Sequence, residues 1–169
     1  TQTAEGALST VGDMLQRMRE LAVQAANGTN GTGDLANLDA EYQALATQIT
    51  DIGTQTKFNG LDILNAAAGA QTFQVGANVG DTLTVTTTAL ATSIGTIGDI
   101  TSAANANTEI AALDTALDAI NTDRASLGAA QNRLSFVTSN LQIASENQSA
   151  ARGRIMDADY AVETANLSR

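Results

Sequence analysis

LQRMRELAVQAANGTNGTGD, residues 15–34, holds the turn on which the fold depends. Its first half continues a heptad seam made by Ala4, Leu8, Val11, Leu15, Met18, Ala22 and Ala25, with gaps alternating four and three. Asn27 to Gly33 then interrupts the seam with NGTNGTG, a flexible turn composition. Asp34 is the expected N-cap of a second helix. That helix repeats the pattern at Leu35, Leu38, Tyr42, Leu45, Ile49 and Ile52. Two heptad helices joined by a short Gly-rich loop are expected to fold back as an antiparallel pair.

Outward from this pair the pattern changes. FNGLDIL (58–64) places an Asn-Gly turn signal beside apolar residues, and TFQV (72–75) and TLTVTT (82–87) flank GANVGD as an expected β-hairpin. Residues 88–107 are small and polar and are expected to be irregular or to hold one short helix. From about Thr108 to Leu167 helical periodicity returns through Leu113, Leu117, Ile120, Leu127, Leu134, Val137, Leu141, Ala144, Ala151, Ile155, Ala158, Val162 and Ala165, with a phase slip near 127–134. Some 60 residues of continuous helix span roughly 90 Å. A compact domain of this length would be only about 40 Å across. The expected fold is therefore α+β and mainly α: an elongated helical-bundle rod of long heptad helices with a small β-hairpin region at one end. The expected division is one unit, with N-side helices over 1–57, the hairpin and irregular region over 58–107, and the long C-side helix over 108–169.

Composition agrees with a rod and closes several functional classes. The chain has 169 residues, 43% hydrophobic but only 3% aromatic, and no Pro where an average chain would carry about eight. Its net charge of −10 and single lysine, Lys57, leave no means of displacing counterions from phosphates or of binding an anionic bilayer. Neither nucleic acid nor membrane is an expected partner. No apolar run approaches the roughly 20 residues of a bilayer span. There is no His and no Cys, so the usual bases, thiolates and zinc ligands are missing. No catalytic residue, cofactor or metal is expected. Asp157 and Asp159 in MDADY sit in helical pattern without the glycine-bearing loop that calcium requires, so they read as solvated charges. Four Asn-x-Ser/Thr triplets, at Asn27, Asn30, Asn147 and Asn166, are too short a match to carry meaning.

A second line runs beside the seam of the first helix. Met14, Arg17, Leu21 and Gln24 are spaced three, four, three, at g and c positions of the heptad, and Glu41 occupies a g position on the second helix beside Tyr42. From pattern alone, Met14 and Leu21 widen the core stripe and Arg17 covers apolar surface with its stem.

QTAEGALSTVGDMLQRMRELAVQAANGTN, KFNGLDIL and FQVGAN closely resemble the N-terminal part of bacterial flagellin. ASLGAAQNRLSFVTSNLQIASENQSAARGRIMDADYAVETANLSR resembles its C-terminal part. The two stretches occur in the family's order and leave out only roughly residues 65–71 and 88–107. The resemblance implies a self-assembling structural subunit of the flagellar filament, serving motility, located outside the cell and exported unfolded through the flagellar export apparatus without a cleavable signal. It implies as partners other flagellin subunits, a flagellar export chaperone and Toll-like receptor 5 of animal hosts. Two departures stand out. The family continues beyond both ends with channel-lining helices, so the chain reads as a truncated piece that should not polymerise by itself. A large variable domain, common in the family, is replaced by about 20 residues.

The resemblance also turns the second line into an expected protein-interaction surface. Arg17, Leu21 and Glu41 match the family positions that matter most for receptor recognition, and Gln16, Glu20 and Gln24 lie on or near the same patch. Val137 and Thr138 on the C-side helix are expected to line it too. The alternative reading is a hook–filament junction protein, whose terminal helices are similar.

Overall fold

The computed structural model describes residues 1–156 and 160–168. Its order is α1 (Gln2–Ala25), α2 (Thr32–Gln55), β1 (Lys57–Phe58), β2 (Leu61–Asp62), β3 (Ala70–Gln74), β4 (Thr82–Thr86), α3 (Leu90–Ile94), α4 (Ala103–Met156) and α5 (Tyr160–Leu167). The fold is mainly helical, with two small antiparallel sheets of two strands each. The helix α4 runs unbroken for 54 residues, roughly 80 Å at 1.5 Å per residue. Neither Gly128 nor the expected phase slip interrupts it, and with no Pro nothing along it removes a backbone donor. Asp157, Ala158 and Asp159, with the side chain of Val162, fall outside the described residues.

The heptad seam of α1 becomes the core. Ala4, Leu8, Val11, Leu15, Met18, Ala22 and Ala25 are all buried. They pack mainly on α4, whose buried face is Ala106, Leu113, Ala116, Ile120 and Leu127. The helix α2 closes the bundle from the side of α1 with Tyr42 and Ile49 buried. Alanines on the seam let the backbones approach closely, and that is how a rod with few aromatics fills its interior.

Ion pairs fix the direction of packing. Arg124 holds Glu5 through Nε and Nη2 at 2.9 Å, and Arg19 Nε donates to Asp114 at 2.6 Å. Advancing along α1 from residue 5 to 19 retreats along α4 from 124 to 114, so the two helices run antiparallel. The second helix begins earlier than expected. Asp34 is not its N-cap: α2 starts at Thr32, and the Asp34 carboxylate, at the third helical position, reaches back 3.1 Å to accept from the Gly31 N–H.

Asn59 and Gly60 form the predicted turn, with φ of 52° and 78°, the pair of positive values a two-residue hairpin needs. It closes β1 on β2, with Lys57 opposite Asp62. The second hairpin pairs Ala70 with Thr86 through Gln74 with Thr82. Its strand β4 alternates, burying Leu83 and Val85, while β3 is exposed throughout. The short helix α3 is tied to both sides: the Leu90 N–H donates to the Leu64 carbonyl at 2.8 Å, and Thr88 and Ser93 donate their hydroxyls to Asp123 of α4.

The seam of α4 outlasts its partners. Leu134 still packs against the core, but further along the same stripe Leu141 is 43% exposed and Ile155 82%. Only the first part of the expected apolar stripe is therefore core.

Candidate functional site

The open face of the α1–α2 pair carries a charged clasp. Arg17 donates from Nε and Nη2 to one oxygen of Glu41, at 2.9 and 2.8 Å, and from Nη1 to Glu20 at 3.0 Å. One guanidinium thus joins α1 to α2 and spans one turn of its own helix. The hydrogen bonds the guanidinium donates to Glu41, then the one it donates to Glu20, hold its pKa above the ordinary value. All three side chains are about half exposed or more, which makes the clasp a weak staple but an accessible surface. Gln16 and Gln24 flank it, both exposed, and their amides have no partner among the described residues. The backbone carbonyl of Gln24 accepts from the Asn30 side chain at 2.6 Å, which ties the α1–α2 loop to the end of the patch.

Leu21 departs from the expectation that it stands on the open face. Its side chain is 1% exposed and belongs to the main core cluster. The physical reason is the width of the interface. With α2 and α4 both packed on α1, the buried arc extends from a and d to g. Met14, the other g residue, is half-buried against the same core. Arg17, at c, stays outside. The line seen in sequence therefore splits into a core-facing pair, Met14 and Leu21, and an exposed pair, Arg17 and Gln24.

Val137 and Thr138 are not brought to the patch. Arg19, two residues from Arg17, meets α4 at Asp114, and Val137 lies roughly 35 Å further along that helix. The stretch of α4 beside the patch is the one around Asp114.

The contacts that hold α2 in place were invisible in the sequence. Tyr42 donates its hydroxyl to Glu109 at 2.7 Å, in the bundle interior. Burial, then the hydrogen bond to Glu109, raises the phenol's pKa well above its ordinary value. Asp39 accepts from the Ile100 N–H at 2.9 Å, and Gln43 donates to the Gly98 carbonyl at 2.8 Å. Glu109 reads as one more charge on a helix, because its partner is 67 residues away. The only legible signal is Tyr42 at a seam position, since a buried phenol requires an acceptor.

Among the described residues no group of three or more acidic, His or Cys residues could hold a metal ion. None of the described helices is long and apolar enough to cross a membrane.

Comparison with known proteins agrees with this architecture. Residues 1–69 match the family model of the bacterial flagellin N-terminal helical region, and residues 110–169 match that of the C-terminal helical region. The chain is 43% identical to a flagellin of Halalkalibacterium halodurans over 99% of its own length and 63% of the relative's. It is 33% identical to a flagellin of Bacillus subtilis, covering 67% of that protein. It thus spans about two thirds of the length of the curated relatives it matches. The crystal structure of Bacillus cereus flagellin superposes with a TM-score of 0.77 at 37% identity, over 89% of this chain and 88% of that one. With both halves matched in order and the rod reproduced, the chain belongs to the bacterial flagellin family, a family of structural proteins and not of enzymes.

Proposed function

We propose that the chain is the rod of a flagellar filament subunit, a single unit over residues 1–169 that packs side by side with copies of itself outside the cell. The observation that carries this reading is the length of α4 that has no partner among the described residues. From Phe136 to Met156 it runs for roughly 30 Å with Phe136, Leu141, Ile143, Ile155 and Met156 turned to solvent. Phe136 and Ile143, seven residues apart, stand on one side of the helix, and an exposed apolar line of this kind marks an assembly surface. Family membership supplies the partner: further flagellin subunits. Delivery through the flagellar export apparatus, with an export chaperone covering the exposed helix beforehand, belongs to the same proposal.

The clasp supports a finer reading. Arg17, Glu20 and Glu41, flanked by Gln16 and Gln24, form the surface proposed to meet neighbouring subunits in the filament and Toll-like receptor 5 on the free subunit. Leu21 takes part from below, by holding α1 against α2. Arginine is a typical hot-spot residue because its fork pairs with acceptors while its stem fills area. The test is binding to immobilised receptor ectodomain by surface plasmon resonance. Arg17→Ala and Glu41→Ala should each weaken it about tenfold or more, the loss typical of a hot spot. Unchanged affinity in both variants would remove the receptor from the proposal.

A further inference from the structure

The chain contains three Asn-Gly pairs, at 27–28, 30–31 and 59–60, and the structure treats them differently. In such a pair the backbone nitrogen of the glycine can attack the asparagine side chain, because no side chain on the glycine blocks the approach. Whether it does depends on whether that N–H and that amide are already engaged.

At Asn30 both are. Its Nδ2 donates to the carbonyls of Gln24 and Asn27, at 2.6 and 3.0 Å, and the Gly31 N–H donates to the Asp34 carboxylate at 3.1 Å. Reaction there requires the first turn of α2 to open. At Asn59 the pair is locked at φ of 52° and 78° in the closed turn between β1 and β2. At Asn27 the two reacting groups are free among the described residues: neither the side-chain Nδ2 nor the Gly28 N–H is engaged, and only the Oδ1 and the main chain around it are held. The residue is exposed, in the loop after α1, and among the described residues nothing accepts from the Gly28 N–H. The Asn27 Oδ1 accepts from the Thr29 N–H at 3.3 Å, which withdraws electron density from Cγ and folds the side chain forward over the chain.

We infer that Asn27 is a site of spontaneous deamidation, with water as the only co-reactant. The deprotonated Gly28 nitrogen attacks Cγ of Asn27, a new C–N bond forms, the Cγ–Nδ2 bond breaks, and ammonia leaves with a proton from solvent. Water then opens the cyclic imide at either carbonyl, leaving aspartate or isoaspartate at position 27. The product places a carboxylate just past the C-terminus of α1, where the helix dipole disfavours negative charge. Isoaspartate also adds an atom to the backbone of the loop beside Gln24. This inference stands independently of the assembly proposal.

The test is incubation of the folded protein in mildly alkaline heavy-oxygen water, followed by proteolysis and tandem mass spectrometry, with fragment ions assigning label to each asparagine. A parallel sample in concentrated denaturant gives the unprotected rate at all three. In the folded protein Asn27 should react within about threefold of its denatured rate, because its Nδ2 and the Gly28 N–H are already free, and Asn30 should be slowed roughly tenfold or more. Asp34→Ala, which frees the Gly31 N–H, should raise the Asn30 rate without changing that of Asn27. Asn27 slowed as much as Asn30, or Asn59 reacting faster than Asn27, would overturn the assignment.

Discussion

Leu21→Ala and Arg17→Ala remove neighbouring residues of one line, yet the structure predicts opposite phenotypes. Leu21 is 1% exposed, so truncation to Ala removes three buried carbons. At about 0.8 kcal/mol for each, the transfer contribution is about 2.4 kcal/mol. The cavity left between α1 and its partners adds to this, and comparable core truncations cost about 2–5 kcal/mol. For a chain of this size each kcal/mol lowers the melting midpoint by about 2–4 °C, so a loss near 3 kcal/mol lowers it by about 6–12 °C. Thermal unfolding followed by far-ultraviolet circular dichroism reads this directly. Arg17→Ala breaks ion pairs whose partners are all about half exposed or more, and its midpoint should stay close to the parent's. Leu21→Met conserves volume and should recover most of the loss. If Leu21→Ala melts with the parent, the side chain is not core and the division of this line into buried and exposed residues is wrong.

Three further outcomes follow from the same packing. Tyr42→Phe leaves the 8%-exposed Glu109 without its donor and should cost about 1–3 kcal/mol in urea denaturation. Arg19 holds the Asp114 carboxyl below the usual carboxylate range, and the Thr101 hydroxyl, the Asn105 amide and the Thr101 N–H do the same for Asp99. Unfolding raises both pKa values, so the unfolded chain binds more protons in acid. Their stabilisation is complete above the unfolded value of about 3.9 and is lost as pH falls through the lower folded values. Asp99→Asn and Asp114→Asn should therefore flatten the acid limb of stability against pH. Arg124→Ala should melt earlier than Arg17→Ala, because the Arg124–Glu5 pair is less exposed than the Arg17 clasp.

The elements of this fold were legible wherever local chemistry decides structure. The α1 seam, the Asn59-Gly60 turn and the long α4 all followed from spacing, turn residues and the absence of proline. Where tertiary contacts decide, legibility ended. Nothing in the α4 stripe distinguishes Leu127, which is buried, from Leu141, which is not: the difference lies in where α1 and α2 stop. Leu21 and Arg17 share a line, but only the joint packing of α2 and α4 on α1 determines which of them is covered. The Arg17–Glu41 and Arg19–Asp114 pairs join residues 24 and 95 positions apart, beyond the reach of any helical spacing rule. Asp34 shows a smaller limit, since the same carboxylate can cap from the N-cap position or reach back from the third residue.

The proposed packing of this rod with copies of its kind into a filament is open to direct test. The most direct measurement grafts residues 1–169 into the Halalkalibacterium halodurans flagellin in place of the matched segment, then follows growth from filament seeds by electron microscopy. The graft should give long filaments, and growth should be impaired when Phe136 and Ile143 are both changed to Ser on the exposed face of α4. Seeds that are capped or bear only stubs, from a graft that folds normally, would contradict the proposed packing and turn the assignment to a hook–filament junction protein.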